Sequence, residues 1–140
     1  MLITRECDYA VRALMALSTA PRLSINEICE KEAISPAFTY KIIKKLQKAN
    51  MVKVFRGVQG GFSLNIPLSE LTLYDVYTVI NPELFIVECV DPNFECPLEK
   101  KCESNRCFVR NELCDIQQEL CSLLKRKFFR KFYKKERLRF

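Results

Sequence analysis

All three glycines of this 140-residue chain lie within one short segment, 57–61. Glycine takes positive φ values and permits close backbone approaches that other residues resist, so this concentration predicts one tight turn. The flanking segments 51–56 and 62–66 alternate β-branched or aromatic residues with other types, which is typical of paired strands. The sequence therefore predicts a small β-hairpin here.

Two short helices precede the hairpin. Ser24-Ile25-Asn26-Glu27 is a capping box, in which the serine side chain accepts from the amide of Glu27 and the glutamate reaches back. Ser35 and Pro36 begin the second helix, since proline at the first helical position loses no hydrogen bond. The pattern predicts a winged helix-turn-helix in a mostly α chain, with the helix pair at about 25–48 and the wing at 52–66. We expect the second helix to place these residues inward: Phe38, Ile42, Ile43 and Leu46.

Charge is strongly segregated along the chain. Residues 33–69 contain no acid but six Lys or Arg, whereas 83–119 contain nine acids and four bases. Residues 125–139 carry nine bases and one acid, a run that we interpret as a solvated face. In the middle stretch the basic window coincides with the predicted helix pair, which indicates a binding site for a polyanion.

Three further helices are predicted outside this region. The first covers 8–17 and another covers 69–81, followed by a brief strand at 85–87. From Cys107, apolar residues recur every three or four positions for about seven turns, ending with Phe128 and Phe132. A helix of that length has little room to fold back on a small domain. We therefore expect its apolar stripe to pair with a second subunit rather than to pack along its own domain.

Eight cysteines and no histidine limit the chemistry of the chain. The missing histidines exclude a Ser-His-Asp triad, a Cys-His pair and histidine-containing zinc fingers. Four cysteines lie on a loop poor in apolar residues, separated by six, five and four residues: Cys89, Cys96, Cys102 and Cys107. Structural zinc sites favour shorter spacings, whereas thiolates at irregular spacing suit an iron–sulfur cluster. Cys29, Cys114 and Cys121 are interpreted as packing residues.

Several classes of protein are disfavoured. The chain has no Walker-type loop and no GxGxxG, and a thiol oxidoreductase would require a Cys-x-x-Cys pair that is missing. We therefore expect that the protein is not an enzyme and has no small-molecule substrate. A charged N-terminus and the lack of an apolar run of about 18 residues predict a soluble cytoplasmic protein without membrane contact.

Over nearly its full length the chain resembles the Rrf2 family of bacterial winged-helix regulators. The motifs that carry the resemblance are DYAVRAL at 8–14, SIxxI at 24–28, Ile34-Ser35 leading into KIIxxL at 41–46, RGxxGGFxL at 56–64, and LTLxDV at 71–76. The resemblance implies a homodimer that binds a roughly two-fold-symmetric operator in double-stranded DNA. Many relatives also sense iron, nitric oxide or redox stress through an iron–sulfur cluster, [2Fe-2S] or [4Fe-4S], which need not survive purification.

The resemblance assigns roles to individual residues. In the helix that follows Ser35, some positions read bases in relatives, and neighbouring lysines are expected to hold phosphates. The wing is expected to reach the adjacent minor groove. The expected base readers are Ala37, Tyr40 and Lys41, the phosphate contacts include Lys44 and Lys45, and the wing contacts are Arg56 and Gln59.

For the cluster, the resemblance assigns Cys89, Cys96 and Cys107 as ligands. Where one relative has a histidine ligand, this sequence has Arg110, so the fourth position is open between Cys102 and Asp8. Asp8 is also a natural N-cap for the first helix.

These expectations divide the chain into a DNA-binding domain at 1–81, a cysteine-rich sensor loop at 82–106, and a dimerisation helix with a basic tail at 107–140. An alternative keeps the same type of regulator but drops the cluster, so that cysteine oxidation itself acts as the switch. A scaffold that uses the basic tail on RNA or a membrane is a third possibility.

Overall fold

Residues 3–98 and 107–129 are described in this computed structural model. They form the predicted winged helix-turn-helix and a long helix that follows it. None of the described helices is long and apolar enough to cross a bilayer. The helices and strands are α1 (Arg5–Leu17), α2 (Ile25–Glu32), α3 (Pro36–Lys48), β1 (Val52–Phe55), β2 (Gly61–Leu64), α4 (Leu73–Ile80) and α5 (Phe108–Lys125).

Side-chain caps determine where several helices begin. The predicted capping box of α2 is present, with Ser24 and Glu27 bonded reciprocally. A second capping box starts α4, where Thr72 accepts from the Asp75 amide and the Asp75 carboxylate accepts from the Thr72 amide at 2.8 Å. The predicted N-cap role of Asp8 is wrong. Thr4 caps α1 by accepting from the Cys7 amide, so the helix begins one turn earlier and Asp8 lies inside it.

The core forms where α1, α2, α3 and α4 pack together. On α3, the predicted inward positions Ile42, Ile43 and Leu46 are fully buried. The predicted inward position of Phe38 is wrong: this side chain is 39% exposed, and its ring meets Tyr9 edge-on at 5.7 Å. Thr39 takes the buried position instead. Its hydroxyl donates to the Ser35 carbonyl at 3.1 Å, so no buried hydrogen bond is lost.

The hairpin has the predicted antiparallel pairing. Val52 lies opposite Leu64, and Phe55 lies opposite Gly61, at the glycine turn. The helix predicted at 69–81 is interrupted. A 3-10 turn covers Leu68–Glu70, and α4 begins only after Thr72, because Thr72 acts as its N-cap.

The predicted strand at 85–87 is wrong, since these residues form no strand. The C-terminal helix is also shorter than expected. It ends at Lys125 after about five turns, and Phe128 lies beyond it in an isolated bridge to Thr72. Phe132 and most of the basic tail lie outside the described residues.

The C-terminal end of α5 and the residues after it pack against the winged helix-turn-helix of the same chain. Leu124 and Phe129 join the core, the Leu73 amide donates to the Lys127 carbonyl at 3.0 Å, and the Phe129 amide donates to the Leu71 carbonyl at 3.2 Å. The expectation that this helix has no room to pack on its own domain is therefore wrong for its C-terminal half. A two-residue reversal after Lys125 is sufficient for the contact.

Phe129→Ala is expected to destabilise the fold by about 3–5 kcal/mol, because it leaves a cavity where a fully buried ring anchors α5. Urea denaturation followed by circular dichroism measures the change. Val58→Ala is the control, since Val58 is fully exposed and its truncation should change the free energy of unfolding by less than about 0.5 kcal/mol. Equal effects of the two substitutions would show that α5 is not anchored by Phe129.

Candidate nucleic-acid interface and cysteine-lined cavity

One stripe of α3 is exposed and carries residues predicted to meet DNA. Ala37, Tyr40, Lys41 and Lys44 all reach solvent, and the Tyr40 side chain is 57% exposed. Their spacing of three, one and three residues places them on one side of the helix. The Ser35 side chain makes no capping hydrogen bond, and the first turn contains no acid. The amino end of α3 therefore presents backbone donors, and its own first turn contributes no opposing acid.

Two of the predicted DNA contacts are also bonded within the chain. The Glu6 carboxylate on α1 accepts from Lys41 and from Lys45, the latter at 2.8 Å. Lys45 also donates to the carbonyl of Ile80 at the end of α4, at 3.0 Å. The Lys41 and Lys45 ammonium groups hold the pKa of the Glu6 carboxyl below its usual range. Lys45 is thus half-buried and joins three helices, whereas Lys44 is exposed.

The wing is attached to the connection between α1 and α2. Leu23 and Phe62 exchange backbone hydrogen bonds of 3.0 and 2.8 Å, which adds a short third segment to the hairpin. The Arg22 guanidinium lies 3.7 Å from the centre of the Phe55 ring and donates to the Gln59 carbonyl at 2.6 Å. Sequence reasoning missed Arg22, because only the folded chain brings it to the wing.

The glycine turn fits closely inside the wing. A Cβ atom at Gly60 would lie 2.6 Å from the Phe55 carbonyl oxygen, so no larger residue fits there without a shift of the backbone. The predicted wing contacts Arg56 and Gln59 are both exposed. A rigid turn therefore presents one cation and one amide to solvent.

Three of the cysteines predicted as cluster ligands, Cys89, Cys96 and Cys107, line one cavity of about 720 Å³. Cys89 lies in a 3-10 turn at Glu88–Val90, not at the end of a strand, and Cys96 lies in the loop that follows. Cys107 is the N-cap of α5, and its sulfur accepts from the Arg110 amide at 3.5 Å. A fourth thiol, Cys114, also lines this cavity. Its interpretation as a packing residue was incomplete, because periodicity alone does not reveal which loop covers that face.

Of the two candidates for a fourth ligand, only Asp8 belongs to the described residues, and it does not line this cavity. Cys102 lies outside the described residues. Asp8 is on α1, and its carboxylate accepts from the Arg12 guanidinium at 3.0 Å, which raises the pKa of Arg12. Among the residues that the structure describes, no three His, Cys, Asp or Glu side chains converge closely enough to hold a single ion.

A glutamine holds the segment that follows α4, residues 81–98, against α5. The buried Gln117 side chain donates to the Leu84 carbonyl at 2.7 Å and accepts from the Ile86 amide at 2.9 Å. These two bonds, and not a strand, hold residues 84–86 in place. They connect the segment after α4 to the middle of α5, about one turn beyond Cys114. Sequence reasoning also missed this residue, since α5 contains many polar residues and nothing in the sequence marks Gln117 as the buried one.

A stripe of α5 remains apolar and exposed. Val109, Ile116 and Leu123 are 67%, 54% and 42% exposed, and they follow one another at intervals of seven residues. Phe108, at the start of the helix, is 79% exposed. Heptad spacing on an uncovered helix is typical of a helix–helix interface.

Comparison with known proteins gives consistent results. The chain matches the family model described as Rrf2, iron-dependent transcriptional regulator, over residues 3–135. It is 37% identical over 108 residues to protein aau3 of Rhizobium meliloti, which covers 75% of this chain and 70% of that protein.

Solved structures share the fold. T. potens IscR has a TM-score of 0.70 at 20% identity, covering 95% of this chain and 86% of that one. CymR, the global cysteine regulator of B. subtilis, has a TM-score of 0.67 at 19% identity, covering 90% and 91%. The wing, the helix pair, the family match over residues 3–135 and the similarity to aau3 together show that this chain belongs to the Rrf2 family of transcriptional regulators and is not an enzyme.

Proposed function

We propose that the chain regulates transcription as a homodimer that binds operator DNA and responds to its environment through the cysteine-lined cavity. This proposal rests on one observation: two separate surfaces lie on the same small chain. An exposed basic helix and wing suit the grooves of duplex DNA, and a separate cavity is lined by four thiols.

The exposed stripe of α3 enters the major groove in this proposal. Ala37, Tyr40 and Lys41 lie in its first half, where recognition helices contact base edges. Lys44 lies one turn further along and holds a phosphate, which supplies affinity but little sequence preference. Lys45 contributes mainly by keeping α3 seated on α1 and α4, since its ammonium is already bonded to both.

The wing reads the neighbouring minor groove. Arg56 and Gln59 are exposed, and the bonds from Arg22 and Leu23 hold the hairpin in one position. Narrow A·T-rich minor grooves concentrate negative potential and attract arginine. A fixed wing therefore loses little conformational entropy when it binds.

The exposed stripe of α5 joins two copies of the chain. A symmetric pair of helices would cover Val109, Ile116 and Leu123 on both partners at once. Two recognition helices at a fixed separation then match an operator with two half-sites.

The cavity is suited to an iron–sulfur cluster. Its walls supply soft thiol donors, which iron–sulfur clusters require, and the segment and α5 contribute two thiols each. Cys89, Cys96 and Cys107 would hold the cluster, and its redox or iron-dependent loss would supply the signal. The description of the family as iron-dependent agrees with this chemistry.

A second candidate keeps the DNA binding and uses the thiols alone. The described cysteines are all free, and one similar structure is a global cysteine regulator. Oxidation of two thiols on opposite walls of the cavity would tie the segment to α5 without any metal.

Two substitutions distinguish base contacts from phosphate contacts. Arg56→Ala is expected to cost about 1–3 kcal/mol on a duplex that the wild-type protein selects from a randomised pool, with relaxed preference at the A·T-rich positions. Lys44→Ala should weaken binding to all duplexes and lower the salt slope by about 0.9, because one phosphate contact is lost. Fluorescence anisotropy at several salt concentrations measures both effects.

The control is Lys127→Ala, which removes one exposed charge at the end of α5, outside α3 and the wing. It should leave the sequence preference unchanged. If Arg56→Ala weakens selected and scrambled duplexes equally, Arg56 contacts only phosphate.

The dimer is tested with Ile116→Lys, which places a charge in the middle of the exposed α5 stripe. This variant is expected to sediment as a monomer at concentrations where the wild-type protein is a dimer, because burying an unpaired ammonium is costly. Gln118→Lys adds the same charge two positions away on the same helix and should remain a dimer. A dimeric Ile116→Lys variant would show that α5 does not pair through this stripe.

Anaerobic purification separates the two sensing candidates. A cluster gives a brown protein with equal amounts of iron and acid-labile sulfide, and its removal should change the affinity for the selected duplex. A thiol switch gives a colourless protein whose affinity changes reversibly with an oxidant and dithiothreitol. A colourless protein whose affinity for the selected duplex responds neither to the oxidant nor to dithiothreitol would contradict any sensing role of the cavity.

A further inference from the structure

We propose that Cys114 is a ligand of the cluster, as a fourth thiolate in addition to Cys89, Cys96 and Cys107. This inference rests on the proposed cluster. It depends on one observation that the sequence did not reveal: the Cys114 side chain, half-buried in the second turn of α5, lines the same cavity as the other three thiols.

The position of Cys114 on α5 brings it to the side of Cys107. Seven residues separate the two, which is close to two turns, so both lie on one face of the helix. Their Cα atoms differ by about 10.5 Å along the axis at 1.5 Å per residue. The next cysteine on that face, Cys121, lies two turns further and is instead in contact with Gln117, whose amide lies 3.2 Å from the sulfur.

The two side chains lean toward one another. Helical side chains point toward the amino end of their helix, so the Cys114 sulfur is directed toward the first turn. The Cys107 sulfur accepts from the Arg110 amide and is therefore held over that same first turn. Both side chains therefore border the first turn of α5, beside the cavity that both residues line. Thiols arranged around a space suit a cluster of several atoms better than a single ion.

Other groups at the cavity are unsuited to the fourth position. Arg110 is permanently charged, has no lone pair to offer, and donates to the Asp91 carbonyl at 3.5 Å. Its guanidinium instead offsets the negative charge of the thiolates. Asn111 offers only a neutral amide, which is a poor ligand for iron beside thiolates. Each ligating cysteine gives its thiol proton to solvent on binding.

The experiment compares Cys114→Ser with Cys121→Ser in the full chain, purified or reconstituted anaerobically. The Cys121 variant is matched, since it removes a thiol from the same helix without touching the cavity. Iron and sulfide per chain, the visible absorption spectrum and Mössbauer parameters are measured. We expect Cys121→Ser to equal the wild type. Cys114→Ser should hold less than half of the iron and sulfide, or a cluster with an altered spectrum because one ligand has become oxygen.

Two further variants locate any alternative ligand. Cys96→Ser should lose the cluster, and Cys102→Ser should retain it with an unchanged spectrum. If Cys114→Ser matches the wild type in content and spectrum while Cys102→Ser does not, Cys114 is not a ligand, although the proposed cluster stands. If the wild-type protein binds neither iron nor sulfide, both the cluster and the role of Cys114 fail. Circular dichroism checks that each variant is folded.

Discussion

Burial of one face of α3 against α1 determines what the rest of the molecule can do. Ile42, Ile43 and Leu46 are almost completely removed from solvent, and burying each side chain contributes about 1.5–3 kcal/mol. Because the helix repeats every 3.6 residues, fixing these three positions also fixes which positions face outward. The exposed stripe from Ala37 to Lys44 is thus a consequence of the core.

Electrostatics adds a second attachment of α3 and limits how much charge it presents. Glu6 lies between Lys41 and Lys45, and the lowered pKa of its carboxyl means that the pair stabilises the folded state above the unfolded pKa. That stabilisation is lost as the pH falls through the folded pKa. Since these side chains are partly exposed, each pair contributes at most about 1 kcal/mol and weakens with salt.

Features encoded by local sequence were predictable, whereas those that depend on a distant partner were not. The Ser24–Glu27 capping box, the glycine turn and the buried face of α3 follow from spacing and side-chain type, and the structure confirms them. Phe38, by contrast, fits the apolar period of α3 but finds Tyr9 at the surface. Local pattern likewise gave no reason for α5 to end at Lys125 rather than continue into the basic tail. The reversal depends on where Thr72 and Leu71 lie after folding.

The candidate cavity was likewise predictable only in part from the sequence. The irregular spacing of four loop cysteines indicated a cluster, and the family resemblance assigned Cys89, Cys96 and Cys107 as its ligands. All three line one cavity. Cys114 was assigned to packing because a cysteine beside leucines in an apolar helix looks like a small core residue. Its neighbours in the cavity come from the segment that Gln117 holds on α5, and only the folded chain brings that segment there.

The placement of the thiols also indicates how a signal in the cavity would reach α3. Two of them lie on the segment that follows α4 and two lie on α5, so any group bound to all four fastens that segment to the helix proposed to form the dimer. The segment begins at the carboxyl end of α4, where the Ile80 carbonyl accepts from Lys45 of α3. In the described residues the segment is held on α5 by the pair of Gln117 hydrogen bonds, each worth about 1 kcal/mol, by the bond from Arg110 to the Asp91 carbonyl, and by packing of the Glu88–Val90 turn. In the proposed mechanism, a group bound by the thiols would strengthen this attachment and so bias how α5 is held relative to α3. Since the separation of two recognition helices in the proposed dimer would depend on that orientation, binding at the cavity and binding to an operator would be energetically linked.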